Sequence, residues 1–204
     1  MQASGVKAWD LCCRRGDRWL FAGVGLELAP GEVLHLVGAN GIGKSSLMRI
    51  LAGLLPVSAG LEEGAKPGGV AWTGGVGLLD ERPALDPAQP LGRALDFWAA
   101  IDGTDPDLRA HAAQRLGIAG LMDVPVRYLS TGQKKRAAMA RLIGQAAPNW
   151  LLDEPFNGLD QQACGLVEEM VMEHVMAGGT CIIASHQHFH LPGLIRLELE
   201  EFAL

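Results

Sequence analysis

Apolar residues form two kinds of segment along this chain: short runs typical of buried strands, and longer segments with the spacing of amphipathic helices. The run Val33–Val37 is nearly continuous in apolar residues, as in a parallel strand covered on both faces. The pattern predicts strands at 6–12, 19–28, 33–37, 70–73, 149–152, 180–185 and 193–198, and helices at 45–52, 91–101, 107–115, 130–145 and 161–177. Because strands alternate with helices, we expect an α/β fold with a mainly parallel core sheet.

The first two predicted strands flank a charged turn at 14–18, so we expect them to pair as an antiparallel hairpin. Glycine is the unusual residue of the composition, with 27 of 204 positions. There is no Gly-X-Y period and no Gly/Ser tract, which excludes a collagen-like chain and a flexible linker. Six glycines lie between Gly64 and Gly77, where we expect a flexible antiparallel ribbon.

Charge and hydropathy exclude several classes of protein. The formal net charge is −6, whereas nucleic-acid binders usually carry a basic surplus, so we expect no nucleic-acid partner. The cluster Lys134, Lys135 and Arg136 is expected to be a solvated helix face. The sequence shows neither a secretory signal nor an apolar run of membrane-spanning length, which predicts a cytosolic chain. The cysteines are expected to be reduced and mostly buried: Cys12, Cys13, Cys164 and Cys181.

A glycine-rich segment follows the predicted strand at 33–37 and opens the predicted helix at 45–52. It matches GxxxxGK[ST], the phosphate-binding P-loop, in the strand–loop–helix context that this motif requires. Glycines let successive N–H groups face phosphate oxygens, and the helix N-terminus adds its positive dipole end. Lys44 is expected to reach the β- and γ-phosphates of ATP, and Ser45 to bind Mg²⁺. The expected nucleotide-binding residues are Gly38, Ala39, Asn40, Gly41, Ile42, Gly43, Lys44, Ser45 and Ser46.

Two carboxylates end the predicted strand at 149–152. Asp153 stands where a second metal-holding residue is needed in a P-loop protein, and we expect it to hold Mg²⁺ through its water shell. Glu154 is placed to polarise the attacking water as a general base. The P-loop and this acidic pair together predict hydrolysis of ATP.

A third motif resembles the LSGGQ signature of ATP-binding-cassette (ABC) ATPases. It comprises Leu129, Ser130, Thr131, Gly132 and Gln133, and it begins the predicted helix at 130–145. Ser130 is a suitable N-cap and Gly132 allows close backbone approach, so this helix end forms a second phosphate-binding surface.

In the family that this motif resembles, the signature serves the ATP held by an opposing subunit. The resemblance therefore implies a homodimer that sandwiches two ATP molecules head to tail. It also implies a D-loop at 157–160, in which Asp160 faces nucleotide, and an H-loop in which His186 contacts the γ-phosphate. The fold implied is a P-loop NTPase with a RecA-like core, an N-terminal antiparallel β part and a small α-helical subdomain. We expect a single ABC ATPase domain over 1–204 with a helical lobe at about 85–147.

Three further segments are similar to the cytochrome c maturation (haem exporter, CcmA-type) family of ABC ATPases. They are the start of the chain at 11–21, the segment 85–99, and Ser185-His186-Gln187. This resemblance implies a peripheral ATPase on the cytoplasmic face of the bacterial inner membrane. It also implies a CcmB-type membrane subunit, with CcmC- and CcmD-type proteins nearby, and haem export or release of a haem-loaded chaperone. The alternatives are an ATPase of another small-substrate exporter, a soluble ABC ATPase of translation or repair, and a small-molecule kinase.

Two positions depart from the usual ABC pattern. An aromatic residue usually stacks on adenine 20–25 positions before the P-loop, but counting back from Gly38 reaches Arg15. A guanidinium plane also stacks on bases, so Arg15 is the candidate and Trp19 the alternative. The usual glutamine of the Q-loop is replaced by Asp80 or Glu81, which puts the coupling role of that loop in doubt.

The histidines allow one further hypothesis. His186, His188 and His190 are alternate residues, and alternate residues of a strand share a face that can bind metal. We favour His186 as the γ-phosphate histidine and the other two as surface residues, with a role only if the chain handles haem. His35, inside an apolar strand, is expected to be a core residue.

Overall fold

The structure, a computed structural model, describes residues 3–62, 64–187, 189 and 191–204. The strands are β1 (Val6–Arg15), β2 (Arg18–Leu28), β3 (Val33–Val37), β4 (Gly69–Trp72), β5 (Val76–Leu79), β6 (Asn149–Asp153), β7 (Thr180–Ala184) and β8 (Ile195–Glu198). The helices are α1 (Lys44–Leu51), α2 (Leu91–Asp102), α3 (Pro106–Arg115), α4 (Thr131–Gly144) and α5 (Gln161–Met176). Short 3₁₀ turns lie at Ala119–Leu121, Val126–Tyr128 and Leu199–Phe202.

The predicted hairpin is present and belongs to a small antiparallel sheet in the order β2-β1-β4. Pairing between β1 and β2 runs from Val6 opposite Leu28 to Arg15 opposite Arg18. The turn is confined to Gly16 and Asp17, with Gly16 at φ +60°. The strands are therefore longer than the sequence predicted, since a tight glycine turn leaves the flanking charged residues free to pair.

The core is a parallel sheet in the order β5-β6-β7-β3-β8. Every residue of β6 and β7 is buried, in agreement with their continuous apolar sequences. Because all five strands run in one direction, the carboxyl ends of β3, β6 and β7 meet at one edge. That edge is the usual place for a ligand site in an α/β sheet.

The ribbon expected over 64–77 is only half correct. Strand β4 does pair antiparallel with β1, but β5 joins the parallel sheet beside β6. Strand β5 was not predicted because it contains Gly77, where a Cβ would clash with Leu142 Cδ1. A strand of four residues that needs glycine to pack under α4 has little apolar pattern of its own.

The two faces of the parallel sheet bury separate apolar clusters. On one face, Trp150, Leu152 and Ile183 pack with α2, α3, α4 and α5. On the other face, Leu151 and Ile182 pack with α1 and the antiparallel sheet. Alternate residues of β6 thus enter opposite clusters, as the period of a strand requires. His35 is buried and its Nε2 lies 3.0 Å from the Ser185 carbonyl oxygen, which confirms it as a core residue.

Asn149 joins the two sheets. Its Oδ1 accepts hydrogen bonds from Gly5 N (2.9 Å) and Thr180 Oγ1 (2.7 Å). Its Nδ2 donates to the carbonyl oxygens of Thr73 and Gly75, both at 2.9 Å. Gly5 precedes β1 and Thr73 follows β4, so one fully buried amide fastens the antiparallel sheet to β6 and β7.

Within the described ranges, none of the helices combines the length and the apolar character needed to span a bilayer. The predicted thiol state is confirmed. All four cysteines are unpaired, and Cys12, Cys13 and Cys181 are buried.

Candidate functional site

The carboxyl edge of the parallel sheet brings together three of the predicted motifs. Strand β3 leads into the P-loop, β6 ends at Asp153 and Glu154, and β7 leads into Ser185 and His186. A cavity of about 400 Å³ opens there, and its lining includes Lys44, Ser45, Glu81, Glu154 and His186. Residues widely separated in the sequence therefore face a single cavity.

The P-loop has the backbone that its sequence predicts. Gly41 and Gly43 have φ values of +81° and +122°, which other residues rarely adopt, and α1 begins directly after them at Lys44. The Lys44 ammonium donates to the carbonyl oxygens of Gly38 (2.7 Å) and Ala39 (3.3 Å). The Ala39 N–H donates to the Glu200 carboxylate at 2.5 Å. No motif predicted Glu200, because it reaches the loop from a 3₁₀ turn 161 residues away.

Asp153 fits a role in holding Mg²⁺. Its side chain is buried, and its Oδ1 makes no hydrogen bond among the described residues. Burial raises the pKa of the Asp153 carboxyl, and a hydrogen bond with Ser45 opposes that rise. Hydroxyl and carboxylate oxygens are the ligands that Mg²⁺ prefers. An unpartnered oxygen beside the Ser45 hydroxyl is therefore suited to this ion or to a water bound to it.

Glu154 and His186 are in direct contact. The His186 Nδ1 atom lies 3.0 Å from Glu154 Oε2, where β6 and β7 end. Glu154 adopts φ +48°, a sparsely populated conformation for a residue with a side chain. Its own N–H donates to the Ala184 carbonyl oxygen at 2.8 Å, which holds this conformation. Backbone strain of this kind is typical of functional sites.

The signature segment forms the helix end that was predicted. Ser130 caps α4 in a reciprocal capping box with Gln133. A Cβ on Gly132 would lie 2.8 Å from the Gly158 carbonyl oxygen, so the signature touches the predicted D-loop of the same chain. Asp160 caps α5 by accepting from Ala163 N at 2.8 Å. The described residues that line the P-loop cavity include none from the signature or Asp160, so their nucleotide contacts stay predictions.

The two acidic candidates for the Q-loop position have different surroundings. Asp80 accepts two hydrogen bonds from the Arg49 guanidinium of α1, at 3.0 and 3.2 Å. Glu81 instead lines the P-loop cavity. The structure thus separates a residue that ties the loop to α1 from a residue that faces the nucleotide site.

Arg15 lies at the exposed end of β1 and is not among the described residues that line the cavity. Trp19 is half-buried and lies 5.8 Å from the Arg14 guanidinium. Leu20 lines the cavity instead, with its Cβ 3.3 Å from where a Gly43 Cβ would lie. No sequence motif predicted Leu20, because its position depends on how the hairpin lies over the P-loop. Adenine stacking by Arg15 stays a prediction.

One expectation about charge was wrong. Lys134, Lys135 and Arg136 were expected to form a solvated face, but Lys135 is only 4% exposed. It lies on the buried face of α4 with Met139 and Leu142, because the basic run of the sequence continues onto that face. His188 and His190, the candidate haem residues, lie outside the described residues.

Comparison with known proteins agrees with this geometry. The family model described as "ABC transporter" matches residues 21–157, so the class of the fold and site is an ABC ATP-binding protein. The chain is 48% identical over 202 residues to the cytochrome c biogenesis ATP-binding export protein CcmA of Novosphingobium aromaticivorans, covering 99% of each. It is 45% identical to the protein of the same name from Zymomonas mobilis, covering 95% of this chain and 83% of the relative. The chain belongs to the CcmA family of ABC transporter ATP-binding proteins.

The fold is also similar to solved ABC structures. A putative ABC transporter ATP-binding protein from Pyrococcus furiosus superposes with a TM-score of 0.80 at 19% identity, covering 98% of this chain and 100% of that chain. A putative metal-chelate type ABC transporter in an inward-facing conformation gives a TM-score of 0.76 at 19% identity, covering 96% of this chain and 80% of that chain. These similarities confirm the predicted fold class.

Proposed function

We propose that this chain is the ATP-hydrolysing subunit of an ABC exporter used in cytochrome c biogenesis. The observation that carries the proposal is the contact between Glu154 and His186 in the cavity that also holds Lys44. A carboxylate that can activate water, a histidine beside it and a P-loop lysine form a set of groups suited to ATP hydrolysis. The relatives, which are cytochrome c biogenesis ATP-binding export proteins, supply the biological setting.

In this proposal the P-loop binds the phosphates of ATP. The amides after Gly38 and the start of α1 surround the phosphate oxygens, and Lys44 exchanges its bonds to Gly38 and Ala39 for bonds to phosphate. Ser45 and Asp153 would hold Mg²⁺, which would neutralise phosphate charge. Glu154 takes a proton from the attacking water, and His186 keeps the Glu154 carboxylate in position and contacts the γ-phosphate.

The active form in this proposal is a homodimer. The signature residues offer a capped helix end, and none of them is among the described residues that line the P-loop cavity of their own chain: Ser130, Thr131, Gly132 and Gln133. A second chain would present its ATP to this surface, with Asp160 close by. The chain acts as one domain over 1–204, and the helices at about 85–147 form its helical lobe.

The membrane partner in this proposal is a CcmB-type subunit, with CcmC- and CcmD-type proteins in the complex at the cytoplasmic face of the inner membrane. We place its contact on the helical lobe and the loop at Asp80. Phe97 and Ile101 of α2 are more than half exposed, and the Arg49–Asp80 pair connects this region to the P-loop helix. A movement of α1 caused by ATP binding can therefore reach the lobe through this pair.

Two variants test the catalytic part. Glu154→Gln keeps the shape of the side chain but cannot act as a base, so we expect ATP binding to persist while turnover falls by at least about 100-fold. This variant should also accumulate an ATP-dependent dimer in size-exclusion chromatography. Lys44→Ala should weaken ATP binding itself. Glu201→Gln, at an exposed position, is the matched control and should behave as the parent chain does.

Purification from detergent extracts tests the transport part. We expect an integral-membrane protein to co-purify with the full chain. Retained hydrolysis in Glu154→Gln without an ATP-dependent dimer would refute the catalytic assignment. Co-purification with ribosomes instead of a membrane protein would favour a soluble ABC ATPase of translation.

A further inference from the structure

Lys135 is a buried cation with no hydrogen-bond partner among the described residues. It lies in the second turn of α4, is 4% exposed, and its Nζ is enclosed by protein. An ammonium group placed in this way loses its hydration, which is costly unless nearby negative charge compensates for it. The position therefore requires an electrostatic explanation.

The negative charges that act on Lys135 belong to the nucleotide site. Burial lowers the pKa of Lys135, and the carboxylates of Asp153, Glu81, Glu154 and Asp80 oppose that fall, in decreasing order. Arg49 already pairs with Asp80, and Lys44 lies in the phosphate loop. Glu154 contacts His186, so Glu81 and Asp153 remain without a hydrogen-bonded or ion-paired cation among the described residues.

The crowding of carboxylates presents a difficulty for ATP. Glu81 and Glu154 both line the cavity, and Asp153, which directly precedes Glu154, is buried. Three like charges beside one phosphate chain would repel the nucleotide unless a positive charge offsets them. Bound Mg²⁺ offsets part of this charge, but a fixed cation in the protein acts whether or not the metal is present.

We propose that Lys135 is a positioning residue of the ATPase site, a buried cation that balances the carboxylates of Glu81 and Asp153 so that the phosphates of ATP can enter. The inference rests on the proposed function and adds a residue to its site. It also gives α4 two roles: the capped end at Ser130 faces a second chain, while Lys135, one turn further on, acts on the site of its own chain.

The test compares the affinity for ATP with and without Mg²⁺ in the purified full chain. Free ATP carries twice the negative charge of its magnesium complex, so loss of a positive charge should weaken free ATP more. We expect Lys135→Met to raise the Kd of ATP about tenfold in EDTA and about threefold with Mg²⁺. Lys135→Arg should leave both values within about twofold of the parent. Lys134→Met, which removes the same charge from the same helix, should change neither.

Opposite behaviour is expected of Glu81→Gln. This exposed position does not threaten folding, and loss of its charge should lower the Kd of ATP in EDTA more than with Mg²⁺. A structural role for Lys135 would raise both Kd values by the same factor. Equal factors in Lys135→Met, or an unchanged ratio in Glu81→Gln, would overturn the inference. Both Kd values are measured from binding and do not depend on hydrolysis. A parent chain that binds ATP but does not hydrolyse it would therefore refute only the proposed function.

Discussion

His186 Nδ1 lies 3.0 Å from Glu154 Oε2, and this contact connects the ends of two adjacent parallel strands. An ionised carboxylate can only accept a hydrogen bond, so the imidazole supplies the proton of this bond. Glu154 is buried while the His186 side chain is half exposed in the cavity. The pair therefore places a buried carboxylate beside a histidine that lines the P-loop cavity.

The first prediction concerns this pair. His186→Ala should reduce ATP turnover by about 100-fold, because Glu154 loses the group that orients it and the phosphate loses a contact. The Kd of ATP should change by less than about threefold, since Lys44 and the P-loop amides remain. Steady-state hydrolysis and equilibrium binding measure the two quantities. His111→Ala, on the exposed surface of α3, is the control. Normal turnover in His186→Ala would disprove this role.

The second prediction concerns Arg49 and Asp80. Their two hydrogen bonds join α1 to the loop after β5. Because the pair is partly exposed to solvent, Asp80→Asn should lower the free energy of unfolding by only about 0.5–1 kcal/mol. Arg49→Met should do the same, and the double variant should lose no more than either single one. Urea denaturation provides the measurement. Additive losses would show that the two side chains do not interact.

The third prediction concerns Asn149. Replacement by leucine keeps the volume but removes the partner of Gly5 N and of the Thr73 and Gly75 carbonyl oxygens. We expect a loss of about 4 kcal/mol in the free energy of unfolding, measured by urea denaturation. Thr180→Val removes one bond from the same network and should cost about 1 kcal/mol. If Asn149→Leu lowered the free energy of unfolding by less than Thr180→Val does, Asn149 would not join the two sheets.

The fourth prediction is a dependence of stability on pH. Burial lowers the pKa of His174 from 6.5, its ordinary value, and hydrogen bonds to the Thr180 and Pro148 carbonyl oxygens oppose this fall. The unfolded chain then binds the proton more readily, so the stability present above pH 6.5 is lost as pH falls below it. His174→Phe preserves a ring against Trp150 and removes this contribution.

Thermal denaturation at about pH 7.5 and about pH 5.5 tests the dependence. The difference in Tm between the two conditions should be smaller in His174→Phe than in the parent by about 2–4 °C. His111→Phe, at an exposed position, should retain the parental difference. An equal difference in His174→Phe would exclude His174 as the source of the pH dependence.

Much of the fold followed from the apolar pattern. Strands β3, β6 and β7 are buried on both faces, and such strands have continuous apolar sequences that are easy to recognise. Strand β5 was missed because it is short, contains Gly77, and owes its place to packing under α4. Pairing partners of edge strands depend on tertiary contacts that local sequence does not encode.

The site was predictable where a sequence motif fixes the backbone conformation. It was less predictable where packing against distant residues decides the position of a side chain. The P-loop, Glu154 and His186 converge because each follows a buried parallel strand. The choice between Asp80 and Glu81 depended on Arg49, which lies 31 residues from Asp80. Lys135 was misjudged because a basic run gave no sign of which residue faces inward.

The position of β3 has a consequence for the order in which the protein is assembled during translation. β3 carries the P-loop, yet its neighbours in the sheet are β7 and β8, the last two strands of the described chain. Its loop is further bonded to Glu200. While the ribosome is still making the helices, β3 has no partner strand, and the phosphate loop lacks its support. We therefore expect the P-loop to reach its folded conformation only after the carboxyl-terminal strands have left the ribosome.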